Sequence, residues 1–338
     1  MGIMTRVLLL RLGVVLLAVG VVHGRSEDLP YAQVARVPSV VDGQALQAFA
    51  FDPVAERLYA GSVLGVFWID LRDSVPRIKG PLIRKRIGTI EVAPEAGRLF
   101  YTTIDEFGYV NLRTTEPPQR LGGRQWRTAR LAYEPTRREM YIATHDSGIV
   151  VYDTETGERG PAIELPGWHA TSLEAVPGKV FFSLADKSGL YVIDAATHQV
   201  APWPVTGPLV TPAYLDADPT GRYLFATYDR FVVAIDVATA TVVDRLATAT
   251  GARIAFDPER RLLVVSEFDR PDHPRINLKA YAVGADGLKQ VAELANPPDG
   301  QLGLESFRGG FLQEGYRSLL VWRAAPASAL LPGGPPHR

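Results

Sequence analysis

The sequence predicts an all-β fold: a single seven-bladed β-propeller of four-stranded antiparallel blades, with the ring closed by pairing of its N- and C-terminal segments. Three observations carry this expectation. A proline-centred unit recurs along the chain, each unit holds several short apolar runs of strand length, and the 3.6-residue periodicity of helices is missing.

The first 24 residues stand apart. Arg6 gives a positive start, Leu12 to Val22 form an apolar run, and Val22-His23-Gly24 offers small residues where a signal peptidase cuts. A membrane span needs roughly 20 apolar residues, so this run suits the core of a signal peptide. Cleavage after Gly24 is expected, with retention as an uncleaved anchor as the rival. Residues 25–33 then read as a short linker, 34–325 as the propeller, and 326–338 as a disordered Pro/Gly-rich tail.

The repeat begins with Ala50-Phe51-Asp52-Pro53, followed by Arg57-Leu58-Tyr59-Ala60-Gly61-Ser62 and Val66-Phe67-Trp68-Ile69-Asp70. Equivalent prolines stand at 94, 135, 177, 219 and 258, giving steps of 41, 41, 42, 42 and 39 residues. In five units an acid or amide closes the third run, 17 or 18 residues after the proline: Asp70, Asn111, Asp153, Asp194 and Asp236. Proline cannot donate to a ladder, which places it in the turn between the first two strands (a and b) of each unit. The run after the turn reads as strand b, and the run ending in the acid as strand c. Turns such as Asp153-Thr154-Glu155-Thr156-Gly157 lead to a short outer strand d, read here as Ala162 to Leu165. Four strands per unit of this length is the propeller pattern. The last unit, Leu304 to Trp322, supplies only three strands, and Gln33 to Val37 is available as the fourth. Joining the two ends removes the open edges that invite aggregation.

These units resemble the YVTN-type bacterial β-propeller repeat, a WD40-like architecture, across roughly residues 34–325. The tetrapeptide survives in part as Tyr59-Ala60-Gly61-Ser62, Tyr101-Thr102-Thr103-Ile104 and Tyr141-Ile142-Ala143-Thr144. The resemblance implies the fold and a typically exported location, periplasmic or secreted. It implies no activity, since fold and function are separable.

Composition narrows the function. Removing Arg6 and Arg11 with the leader leaves 34 basic against 37 acidic residues, a net charge of −3. That balance carries no footprint for nucleic acid, and no stable membrane insertion is expected once the leader is gone. The chain has no cysteine, which excludes disulfides, lipoprotein anchoring, thiolate zinc sites and iron–sulfur clusters. Nucleophile-elbow, phosphate-loop, His-Glu-x-x-His and dinucleotide patterns are all missing. No cofactor and no catalytic residue is assigned.

In a propeller the starts of the a strands and the b–c loops meet at one end of the channel, the default binding surface. Aligning the units on the turn proline places Arg86, Trp126, Arg127, Arg130, Trp168, His169, Tyr214 and Arg253 there, with Lys85, Gln44 and Gln47. The b–c loops add Asp105, Glu106, His145, Asp146, Asp186, Tyr228, Asp229, Glu267 and Asp269. The arginines suit a carboxylate or phosphate ligand; the competing reading pairs them with the loop acids as structural ion pairs. Trp126 and Trp168 form either an aromatic platform or packing between blades. His145, His169 and His273 lack close ligand spacing, so no metal site is assigned. Glu91, Glu174 and Glu305 recur at one place in strand a, which fits acid–base work or calcium binding across the channel and equally well a blade-building role. The expected function is binding or scaffolding, toward a protein partner or a small anionic ligand. The alternative is a lactonase-like propeller hydrolase using a metal or carboxylate/His site at the same mouth.

Overall fold

A computed structural model describes residues 31–324 apart from 39, 42–43, 74–75, 123–129, 145–147, 168, 206–211, 250–251, 269–275, 296–299, 308–309 and 316–317. The expected leader, most of the linker and the tail therefore lie outside the described residues.

Every regular element among the described residues is a strand. β1 (Tyr31–Pro38) precedes a sheet made of β2 (Val40–Val41), β3 (Gln44–Asp52), β4 (Arg57–Ser62), β5 (Val66–Asp70) and β6 (Ile78–Ile83). The next sheet holds β7 (Ile87–Ala93), β8 (Arg98–Thr103), β9 (Phe107–Asn111) and β10 (Gln119–Gly122). Then come β11 (Arg130–Glu134), β12 (Glu139–Ala143), β13 (Ile149–Asp153) and β14 (Arg159–Ile163). They are followed by β15 (Ala170–Val176), β16 (Lys179–Leu184), β17 (Leu190–Asp194) and β18 (Val200–Trp203). A further sheet comprises β19 (Tyr214–Ala217), β20 (Tyr223–Thr227), β21 (Phe231–Asp236) and β22 (Thr241–Ala247). Another has β23 (Arg253–Asp257), β24 (Leu262–Phe268), β25 (Ile276–Gly284) and β26 (Gly287–Ala295). The last combines β27 (Gly300–Phe307), β28 (Gly310–Gly315) and β29 (Ser318–Ala324) with β1.

Pairing is antiparallel throughout, and six of these sheets have four strands, not the seven expected. The exception is the β2–β6 sheet. There the chain doubles back just before β3, Val41 opposite Gln44, and adds a fifth strand on the side away from β4. Strand d of the third repeat also differs from expectation. A register shift between Val150 and Tyr152 starts it at Arg159 and ends it at Ile163.

β1 runs antiparallel to β29, with Tyr31 opposite Ala324 and Pro38 opposite Ser318. Tyr31 is buried. Its hydroxyl donates to Asp257 Oδ2 at 2.7 Å, and its ring meets Phe311 edge-on at 5.1 Å.

Packing follows the same order as the sheets. The first full-length strand of each sheet lies against its counterpart in the next: β3 on β7, β7 on β11, β11 on β15, β15 on β19, β19 on β23, β23 on β27, and β27 on β3. Each apolar cluster draws on two neighbouring sheets. Phe181 and Trp203, for example, pack with Leu224 and Ile235. Val321 of β29 joins Leu58 and Ile69 of the β2–β6 sheet. Strands b are buried on both faces, and c strands such as β13 and β21 largely so, which is why they show so little polar alternation.

The recurrent turn residues have a physical role. In the a–b turns, Asp52 accepts from the amides of Val54 and Ala55, Asp257 from that of Glu259, and Glu134 from those of Thr136 and Arg137. Each such turn then passes through a left-handed residue. It is Gly178 at φ 81° in one repeat, but Glu56, Arg138 and Arg261 in others. In the c–d turns, Asp153 and Asp194 each accept two backbone amides and a threonine hydroxyl. The amide and hydroxyl of Thr197 hold the Asp194 carboxyl below its usual range, and those of Thr239 do the same for Asp236. The amide after each acid donates to the carbonyl of the a–b turn, as Leu71 N does to Glu56 O at 2.9 Å and Ala195 N to Gly178 O at 3.0 Å. One end of the molecule is thus laced by a repeated set of bonds.

Candidate functional site

The opposite end gathers the d–a connections and the b–c loops, as the hydrogen bonds between them record. Lys85, between β6 and β7, pairs with Glu106 in the β8–β9 loop. Ala185 N donates to His169 O at 3.1 Å, and Ala249 N to Glu267 Oε2 at 3.0 Å. Hydroxyls at the ends of b strands tie down the starts of a strands. Thr102 Oγ1 accepts from Thr89 N at 2.9 Å, and Thr227 Oγ1 from Tyr214 N at 3.1 Å. Ser183 Oγ sits 2.6 Å from Ser172 Oγ and 2.7 Å from Thr171 Oγ1. Thr102 and Thr227 each stand eight residues after their turn proline and Ser183 six after Pro177, a signal present in the sequence.

The sites read from sequence divide into three groups. Arg86 and Arg130 are exposed. Arg130 stands first in β11 and its Nε donates to Thr171 O of the following sheet at 3.2 Å. Arg253 instead lies over the half-buried ring of Tyr214, 3.5 Å from the centroid, so it bridges two sheets. His169 is half-buried beside β15. Trp126, Arg127 and Trp168, with His145, Asp146, Asp269 and His273, lie outside the described residues; of Gln44, Gln47 and Glu305 only the backbone is described.

Two of the loop acids, Glu106 and Glu267, are engaged by neighbouring side chains. Glu106 takes the Tyr101 hydroxyl at 2.9 Å besides Lys85. Burial raises its pKa, but these two hydrogen bonds and the charges of Lys85 and Arg120 outweigh it and hold the carboxyl low. Glu267, buried, pairs with Lys279. Tyr228 is fully buried and stacks on Phe231 at 4.8 Å, which makes it a core residue rather than a rim residue.

Deeper along the inner strands are Glu91 and Asp216. Asp216 Oδ2 accepts from Phe256 N of the next sheet at 2.7 Å, and Oδ1 from Ala217 N at 2.8 Å. Burial nevertheless pushes its pKa up to about 6. Among the described residues Glu91 accepts from Val92 N at 3.2 Å, and burial pushes its pKa up to about 7. Glu91 and Asp216 are both half-buried. Among the described residues no three His, Asp or Glu side chains gather as a metal site. No helix there is long and apolar enough to cross a membrane.

No known family and no curated protein matches the chain. Solved structures do. A chain of the mitotic checkpoint complex superposes with a TM-score of 0.68 at 12% identity, covering 94% of this chain and 98% of that one. The structure of U3-55K superposes equally well, TM-score 0.68 at 8% identity, over 86% of this chain and 98% of its own. At such identities the likeness concerns architecture alone, and the architecture fits a β-propeller.

Proposed function

We propose that the chain is an exported binding or scaffold protein, of the YVTN type, that engages a protein partner or a small anionic ligand through the mouth of a closed ring of sheets. The β1–β29 pairing and the contact of β27 with β3 support the ring. The short apolar run ending at Val22-His23-Gly24 supports export and removal of the leader. One observation carries the choice of face. Arg86 and Arg130 stand exposed at the starts of neighbouring inner strands, while the opposite end is consumed by its own turn bonds. Guanidinium groups on a surface of irregular loops are suited to carboxylates of a partner or ligand.

The test places a photo-crosslinking amino acid at Arg86 or, as the opposite-face control, at Ala196 in producing cells. Adducts from the Arg86 position and few from Ala196 are expected, on protein recovered outside the cytoplasm with Arg25 as its first residue. Equal adducts from both positions, or none from either, overturn the choice of face. An N-terminus at Met1 overturns processing.

A further inference from the structure

Positive charge is spread unevenly around the mouth. The connection entering β7 carries Arg84-Lys85-Arg86, and β11 begins with Arg130 after a connection whose charged residues are Arg124 and Arg127. The connections entering β15, β19 and β23, residues 164–169, 204–213 and 248–252, hold no lysine or arginine. On their side of the mouth Lys279 pairs with Glu267 and Arg230 lies 3.7 Å from Asp229, while Arg253, first in β23, lies over the Tyr214 ring and Lys187 reaches Pro166 O.

The basic side does not balance. Its acids are Glu106, its side chain 12% exposed and already engaged by Lys85 and the Tyr101 hydroxyl, and the exposed Asp105 beside it, two against Arg84, Lys85, Arg86 and Arg130. Arg120 also acts on it through space. Arg84 and Arg86, flanking Lys85, are exposed and make no ion pair or hydrogen bond among the described residues. The loop that holds Glu106 also presents Ile104, 55% exposed, one of the few large apolar side chains left in solvent, and Leu82 beside Arg84 is 37% exposed. The Lys85–Glu106 pair joins the segment that carries these unpaired guanidinium groups to the loop that carries Ile104, and arginine is among the residues enriched in protein-binding hot spots. A nucleic-acid groove would call for a longer basic stripe.

We propose that Arg84, Arg86 and Ile104 form the docking point for an acidic segment of a partner protein that carries an apolar side chain, a specification that rests on the mouth-face reading above. The arginines supply bidentate contacts and attract the segment over a distance set by salt, and Ile104 anchors it.

Anisotropy titration tests this with a fluorescein-labelled peptide of alternating glutamate and leucine, against a lysine–leucine peptide and a single-stranded oligonucleotide. The acidic peptide should bind at low ionic strength and weaken with salt. Arg84→Glu with Arg86→Glu should reduce its affinity at least about tenfold, and Ile104→Ser several-fold, in variants whose circular dichroism is unchanged. Acidic-peptide binding that ignores the double reversal overturns the proposal. So does equal binding of the lysine peptide, or an oligonucleotide that binds as tightly with the same arginine dependence. If crosslinks from a mouth position such as Lys187 persist in cells carrying the double reversal, the mouth-face function stands and this sector is wrong.

Discussion

The two ends of the molecule are built by opposite rules. At the turn end one set of devices recurs: an acid caps the a–b turn in four repeats, an acid or amide caps the c–d turn in five, and backbone bonds join the two turns. At the mouth the hydroxyl bonds of Thr102 and Thr227 recur, but the basic side chains at the starts of the inner strands do not act alike. Lys85 reaches a carboxylate, Arg130 a carbonyl, and Arg253 a tyrosine face. A repeated device holds sheets at a fixed spacing, so it leaves no room for variation. Unequal connections distinguish one sector from another, which is what selective binding needs.

The sharpest way to break this contrast is at Glu134. Its buried carboxylate accepts Thr136 N, Arg137 N and, from the neighbouring sheet, Gly178 N at 2.8 Å. Glu134→Ala strands these donors and should cost about 2–4 kcal/mol in urea unfolding. A loss below about 1 kcal/mol would mean that the turn end is not the rigid one.

Acidity separates the regions next. Asp194 and Asp236 are held low by threonine amides and hydroxyls, so their contribution is present above the unfolded value near pH 4 and lost as pH falls further. Glu91 and Asp216 are shifted the other way by burial, to about 7 and about 6. Their favourable contribution is present below the unfolded values and lost as pH rises through 6 and 7. Stability should therefore peak in mildly acidic buffer, and Glu91→Gln should flatten the decline on the alkaline side. An unchanged slope in the variant would refute the assignment to Glu91.

The smallest effects belong to the mouth. Arg130→Ala and Arg253→Ala remove one exposed hydrogen bond and one cation–π contact, and each should cost about 1 kcal/mol or less. Thermal unfolding that drops as far as for Glu134→Ala would make the mouth arginines structural.

The same contrast explains what the sequence disclosed. Pro53, Pro94 and the acids from Asp70 to Asp236 are legible because turn chemistry is local: the residue that caps is within three positions of the amide it caps. The extra β2 strand was not legible, because two valines carry no pattern of their own. Nor was the shift of strand d to Arg159–Ile163, set by a bulge against β13. At the mouth, alignment on the proline found which residues start the inner strands, but partners there come from other repeats. Nothing near Arg253 in sequence announces Tyr214, and nothing near Asp216 announces the Phe256 amide, 40 positions away. Tyr228 misled for the same reason, since a tyrosine in a loop motif gives no sign of which neighbours cover it.

The pairing of Tyr31–Pro38 with Ser318–Ala324 sets an order of events. It joins segments almost a full chain apart, so its loop-closure entropy is the largest that any strand pair here has to overcome. Strand pairs within a repeat form over a few residues and can assemble as the polypeptide emerges. Tyr31 is thus among the first described residues to be synthesised and among the last to dock.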